Sequence, residues 1–217
     1  MSKLKATAPK KLKPDAVSED RLGLERLIFF SDAVFAIAIT LLVLDIRSPS
    51  GADSASDRQL LLLLAGLWHK YLAYFISFWV IGLCWISHHR KFLHIQRVDN
   101  QLLSLNPLML MMIAFIPFPT AVISENVSFA ATGFYALIMT LACLSGLILW
   151  WHAARNHNLI DPRLDRHQIW GEAWVPVATI AILVFSVGVA FFDPGLARIC
   201  WVFVFPVSVF LIRRKAA

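Results

Sequence analysis

The stretch "RLIFFSDAVFAIAITLLVLDI", Arg26 to Ile46, sets Ser31 and Asp32 at the head of a dozen apolar residues broken only by Thr40. A carboxylate in that setting can line a path for a cation, relay a proton, or hydrogen-bond across helices. A charge near a bilayer centre costs about 3 kcal/mol on insertion scales, so the partners of Asp32 must offset that cost. The histidines suggest metal chemistry less than their number implies. His88 and His89 are adjacent, so one helix turns them about 100° apart and they chelate poorly. With His94 they are expected in a basic connecting loop. His69 and Lys70 are expected to snorkel toward the outer interface.

No phosphate-cradling glycine loop, GxSxG or HExxH occurs, so neither an enzyme nor a cofactor is expected. Cys84, Cys143 and Cys200 all lie in apolar runs without ligand spacing and read as buried thiols.

The elements that must hold these groups are membrane helices. The chain has 217 residues, 59% hydrophobic and 16% charged, too little charge for a soluble domain of this length. Its net charge of +6 sits in the tails and in gaps between apolar runs, which is an orientation signal and not a nucleic-acid face. Six apolar segments are long enough to span, at 27–46, 59–86, 101–123, 128–152, 171–192 and 195–212. This predicts an all-α membrane protein with a flexible tail at 1–25, a six-helix transmembrane domain at 26–213 and a short tail at 214–217. The first apolar run is too long for a signal-peptide core. Arg90, Lys91, Arg97, Arg155, Arg163, Arg166, Arg213, Arg214 and Lys215 share one side with the N-terminal lysines. The other side has only Arg47, Arg58 and Arg198. Both termini are therefore expected in the cytoplasm of a multi-pass plasma (inner) membrane protein.

On a helical wheel with Ile37 at zero, Leu41 falls at about +40°, Leu44 at about −20°, Thr40 at about −60° and Phe30 at about +20°, which is one stripe. Asp32 falls at about −140°, behind that stripe, and Ser31 at about +120°. Arg26 and Asp32 are six residues apart and cannot pair along one helix. Each is expected to find partners elsewhere, among Trp85, His88, His89 and Asn106, as a polar clasp that fixes the first helix. The apolar stripe by itself reads sooner as a packing seam in lipid than as a pore wall.

Arg26, Phe30, Ser31 and Asp32 form an R-x-x-x-F-S-D pattern. With "WISHHR" (Trp85–Arg90) and "LNPLMLMMIAFIPFPT" (Leu105–Thr120), the chain resembles the transmembrane protein 175 family of potassium channels, in its single-repeat bacterial form. The likeness covers the first three spans. The resemblance implies a passive potassium channel without a TVGYG-type filter, assembled as a homotetramer whose pore is lined by the first helix of each subunit. It places the constriction at Ile37, Leu41 and Leu44 and a hydroxyl selectivity layer at Thr40. It gives Arg26, Phe30, Ser31 and Asp32 to a structural network. The transported ion is K+, and no other cofactor or nucleic-acid partner is implied. Rings of apolar side chains can gate by dewetting. Asp45, at the outer end, is either a carboxylate ring that concentrates cations or a solvated helix-end acid. The competing functional reading is a proton-coupled transporter relaying through Asp32 and the His88/His89 region, and a third is a membrane scaffold.

Overall fold

The structure, a computed structural model, describes residues 14–155 and 159–216. Among these, backbone order is helical, apart from turns and one isolated antiparallel bridge between Ile95 and Ile160. Six helical segments are long and apolar enough to cross a membrane: Arg21–Asp45, Trp68–His94, Asn100–Glu125, Phe129–Arg155, Arg166–Ala190 and Pro194–Arg213.

Helix α1 (Pro14–Leu41) begins well inside the expected N-terminal tail. Pro14 suits the first helical position because its missing N–H would have no partner there. Residues 14–25 thus continue the helix, with Arg21 and Glu25 paired at 3.6 Å. The remainder of the expected tail, 1–13, lies outside the described residues, as does Ala217. At its other end α1 tightens into a 3-10 turn over Leu42–Asp45.

The expected second span, 59–86, is two elements. Helix α2 (Asp57–Gly66) starts at a capping box in which Ser56 and Gln59 satisfy each other's backbone donors, and buries no side chain in the subunit. Helix α3 (Trp68–His94) follows after a break at Leu67. At 1.5 Å per residue α3 is about 40 Å long, more than the hydrocarbon core. The segment "SHHRKFLH" is therefore helical, not a loop, and the connection begins only at Ile95.

The third span is α4 (Asn100–Phe115) and α5 (Pro117–Glu125), divided where Pro117 and Pro119 cannot donate to the preceding turn. Helix α6 (Phe129–Arg155) is unbroken. The fifth span joins a short α7 (Arg166–Gly171) to α8 (Trp174–Ala190). The sixth joins α9 (Pro194–Val202) to α10 (Val204–Ala216), with the break at Phe203 ahead of Pro206. The expected C-terminal tail is thus helical through Ala216.

Helix α6 lies between α4 and α8, and α1 packs on α3 and α4. The main core joins Phe35 and Ala38 of α1 and Leu42 of the 3-10 turn to Ile81, Ile113, Tyr135, Met139 and Leu183. A second cluster joins Leu27, Phe92, Ile95, Leu102, Trp150 and Ile160. That cluster, with Gln96 N–H donating to the Leu159 carbonyl at 2.7 Å, puts the start of the first span, the 95–99 connection and the segment around Ile160 at one end. Asp45, Lys70 and Glu125 meet at the other end.

Candidate functional site

The first span, α1 with its 3-10 turn, has two unlike faces. Leu27, Ser31, Phe35, Ala38 and Leu42 are buried against α3 and α4. The opposite face carries Phe30, Ile37, Leu41 and Leu44, which are 54%, 57%, 42% and 67% exposed within the subunit, with exposed Thr40 beside them. The 3-10 turn alters the register of that stripe. Three residues per turn bring Leu44 directly over Leu41, about 6 Å farther along, where an α-helix would leave it offset by about 60°. Thr40 Oγ1 donates to the Ile37 carbonyl at 2.9 Å. Its hydroxyl proton is used inside the helix, and its oxygen lone pairs point outward as acceptors.

The buried face is held by polar bonds at both ends. Asn106 and Ser31 are fully buried and His88 is nearly so. His88 Nε2 lies 3.0 Å from Asn106 Oδ1, Asn106 Nδ2 donates to Ser31 Oγ at 2.9 Å, and Ser31 Oγ donates to the Leu27 carbonyl at 2.7 Å. An amide oxygen only accepts, so His88 carries its proton on Nε2, and all donors point one way from α3 through α4 to α1. Phe92 stacks on the His88 ring at 4.1 Å, and Phe35 meets it at a tilt with ring centres 5.6 Å apart. A second bond runs from Trp85 Nε1 to Asp32 Oδ1 at 2.8 Å, short because the acceptor is charged. His89 stacks on Trp85 at 5.5 Å.

Of the expected clasp residues, Ser31, Asp32, Trp85, His88 and Asn106 come together. Arg26 does not. It is exposed and makes no hydrogen bond or ion pair among the described residues. The wheel gives the reason: Arg26 falls at about −20°, under Ile37, so it heads the outward stripe with Phe30, while Ser31 and Asp32 turn inward. His89 is exposed as well and reaches the clasp only through the Trp85 ring.

At the other end, Ser124 Oγ donates to Asp45 Oδ2 at 2.7 Å. Lys70 Nζ reaches the Asp45 carbonyl at 3.4 Å and Glu125 Oε1 at 3.2 Å. Lys70 therefore does not simply snorkel: it ties α3, α5 and the end of the first span together. Sequence reasoning missed Ser124 and Glu125, for which the only signal was their position at the far end of a span. It also missed the buried triad in which Ser77 Oγ lies 2.8 Å from Thr120 Oγ1 and 2.9 Å from the Tyr135 hydroxyl. No cluster of three or more His, Cys, Asp or Glu with metal-site geometry occurs among the described residues.

Outside the spans, Asp99 caps α4 by accepting from Leu102 N–H at 2.7 Å and pairs with His152 Nε2 at 2.9 Å. Partial burial pushes its carboxyl up, but the Leu102 N–H and His152 bonds outweigh it and hold the group below the usual carboxylate value.

A family model described as the endosomal/lysosomal potassium channel TMEM175 matches residues 26–117, which include both faces of α1 and the whole clasp. The chain is also 45% identical over 145 residues to "Potassium channel B446_29190" of Streptomyces collinus, covering 64% of this chain and 69% of that protein. The chain belongs to the TMEM175 family. Its fold matches the crystal structure of a homolog, from Chamaesiphon minutus, of the lysosomal potassium-selective channel TMEM175. That match has a TM-score of 0.73 at 30% identity and covers 90% of this chain and 99% of that one. A human TMEM175 relative, named an endosomal/lysosomal proton channel, is 37% identical over 101 residues, which cover 44% of this chain and 20% of that protein. These relatives are ion channels, not enzymes.

Proposed function

We propose that four copies of this chain form a potassium-permeable channel in the plasma membrane, with the first span of each copy around the axis. The carrying observation is the division of α1. Its polar groups Ser31 and Asp32 are spent on holding one face to α3 and α4, while the face with Ile37, Leu41 and Leu44 has nothing over it within the subunit. Four such faces around a cyclic axis turn each side chain into a ring. Stacked leucines at positions 41 and 44 make a narrow apolar constriction that dewets when closed. The Thr40 oxygens add a layer of acceptors beside it. Asp45, with one carboxylate oxygen on Ser124, places negative charge at the outer mouth. The basic residues at the end shared by the α1 start and the two tethered connections set that end, and both termini, in the cytoplasm.

Proton movement is the second reading, favoured by the name of the human relative. Relay through Asp32 and His88 has an obstacle here: Asp32 is bound to the Trp85 indole, and His88 is joined to Ser31 through an amide, which does not readily pass a proton. Asp32→Asn is expected to lower the yield of the assembly and leave the ion preference of surviving channels intact; loss of proton-driven flux in well-assembled protein would favour the transporter.

The experiment for the channel reading is thiol block. Leu41→Cys and Leu44→Cys channels in planar bilayers should lose current on exposure to a membrane-impermeant methanethiosulfonate cation, and Val43→Cys should lose far less. Equal sensitivity at the three positions would remove α1 from the pore.

A further inference from the structure

Arg198 follows the turn between the last two spans, on the side expected to face out, where a solvated charge is expected. It is instead buried in the second turn of α9, with a relative exposure of 8%. One terminal amine donates to the Asn126 carbonyl. Its Nε has no hydrogen-bond partner, and the guanidinium has no carboxylate partner, among the described residues. An arginine keeps its charge at any accessible pH, so neutralisation cannot relieve the cost of burying it. A buried, unpaired charge of this kind is among the most expensive features a membrane protein can carry.

Arg198 also lines a cavity of about 230 Å³ between the start of α3, the end of α5, α6 and α9. Its walls include Trp68, Ile76, Ile123, Tyr135 and Trp201, and its basic lining residues are His69 and Arg198. Tyr135 and Trp201 are stacked at 4.5 Å, and the Trp201 indole donates to Ser186, so this wall is fixed. An apolar cavity of about 150 Å³ stays dry and accepts a benzene ring, so this one has room for more than a ring. Trp68 and Ile199, at its edge, are 54% and 53% exposed, which opens it sideways at the outer end of the apolar spans.

Walls that are mostly apolar offer the guanidinium no counter-charge, and a free anion would not fill them. An amphiphile answers both needs. We propose that this cavity binds a single-headed anionic amphiphile, its phosphate ester or carboxylate on Arg198 and its alkyl chain on the Trp68, Ile76 and Trp201 surfaces. Guanidinium is suited to such oxyanions because its fork of donors matches theirs. None of the residues lining the cavity belongs to the exposed stripe of the first span, so its occupancy can be measured whether or not the channel reading holds.

The test uses the full chain in phosphatidylcholine nanodiscs, with binding followed by tryptophan fluorescence. Octyl phosphate and octanoate are expected to bind about tenfold more tightly than octanol, the worth of one charge-assisted bond, and similarly better than inorganic phosphate. Arg198→Gln should erase the preference over octanol and leave octanol binding unchanged. Should that variant fail to assemble, Ala73→Leu, which narrows the cavity from the α3 side, should weaken every octyl probe together. Competition by dioctanoyl phosphatidylglycerol would assign the occupant to membrane phospholipid, and competition by octanoate alone to a free single-chain amphiphile; either supports the site. Equal affinity for octyl phosphate and octanol, inorganic phosphate as tight as octyl phosphate, or unchanged binding in both variants would overturn it.

Discussion

Replacing Asn106 by Leu tests whether the clasp holds α1. Asn106 is fully buried and is the link in the chain from His88 to Ser31, so the substitution removes two bonds at 3.0 and 2.9 Å. The volume is nearly kept, which leaves packing loss small. Ser31 still donates to the Leu27 carbonyl and merely loses a donor to its oxygen. His88 fares worse, because its Nε2 proton is left buried between Phe35 and Phe92 without an acceptor. An orphaned buried donor costs about 1–3 kcal/mol and the second bond about 1 kcal/mol, giving a loss of about 3 kcal/mol. Equilibrium unfolding of the purified protein in mixed micelles should register this. Ser31→Ala orphans the buried Asn106 amide donor and should cost about 2 kcal/mol alone, and it should add little on top of Asn106→Leu, where that donor is already gone. Full additivity, or an Asn106→Leu protein within about 0.5 kcal/mol of wild type, would refute a continuous clasp.

Trp85→Phe should keep the stacked ring beside His89 but remove the indole donor to Asp32, destabilising the protein in the same assay by about 1 kcal/mol, since the bond is partly open at the subunit surface; a neutral result would show that the bond does not hold α1 to α3. The Asp99 carboxyl titrates below its ordinary value, so its contribution is present in full above about pH 4 and is lost as pH falls through the lower folded value. Melting temperature against pH should therefore fall more steeply there for wild type than for Asp99→Asn, and parallel curves would contradict the assignment. Thr40→Ala should reduce discrimination between potassium and sodium in reversal-potential measurements while sparing expression; unchanged discrimination would remove the hydroxyl layer from the selectivity account.

The span count and the stripe on α1 were legible because 3.6-residue periodicity and 20-residue apolar runs are long, redundant signals. Asp32, Trp85, His88 and Asn106 were legible as a group because each is polar at one depth of the first three spans. The break before Trp68 was not, since an apolar run from Leu60 to Leu67 looks continuous and only Gly66 and the Ser56/Gln59 cap mark it. Nor was the outward place of Arg26, although its wheel position beside Phe30 contained it. The 3-10 turn that aligns Leu44 with Leu41 left no sequence mark at all. The burial of Arg198 depends on how α9 sits against α5 and α6, a tertiary property beyond any local pattern.

The most direct measurement of the central claim is ion flux from liposomes containing the purified protein under a potassium gradient, with sodium as competitor and Leu41→Ala in parallel. The account predicts potassium-favouring flux without any proton gradient, raised in Leu41→Ala as the apolar ring widens. Flux that appears only with a proton gradient, or potassium flux indifferent to Leu41, would contradict it.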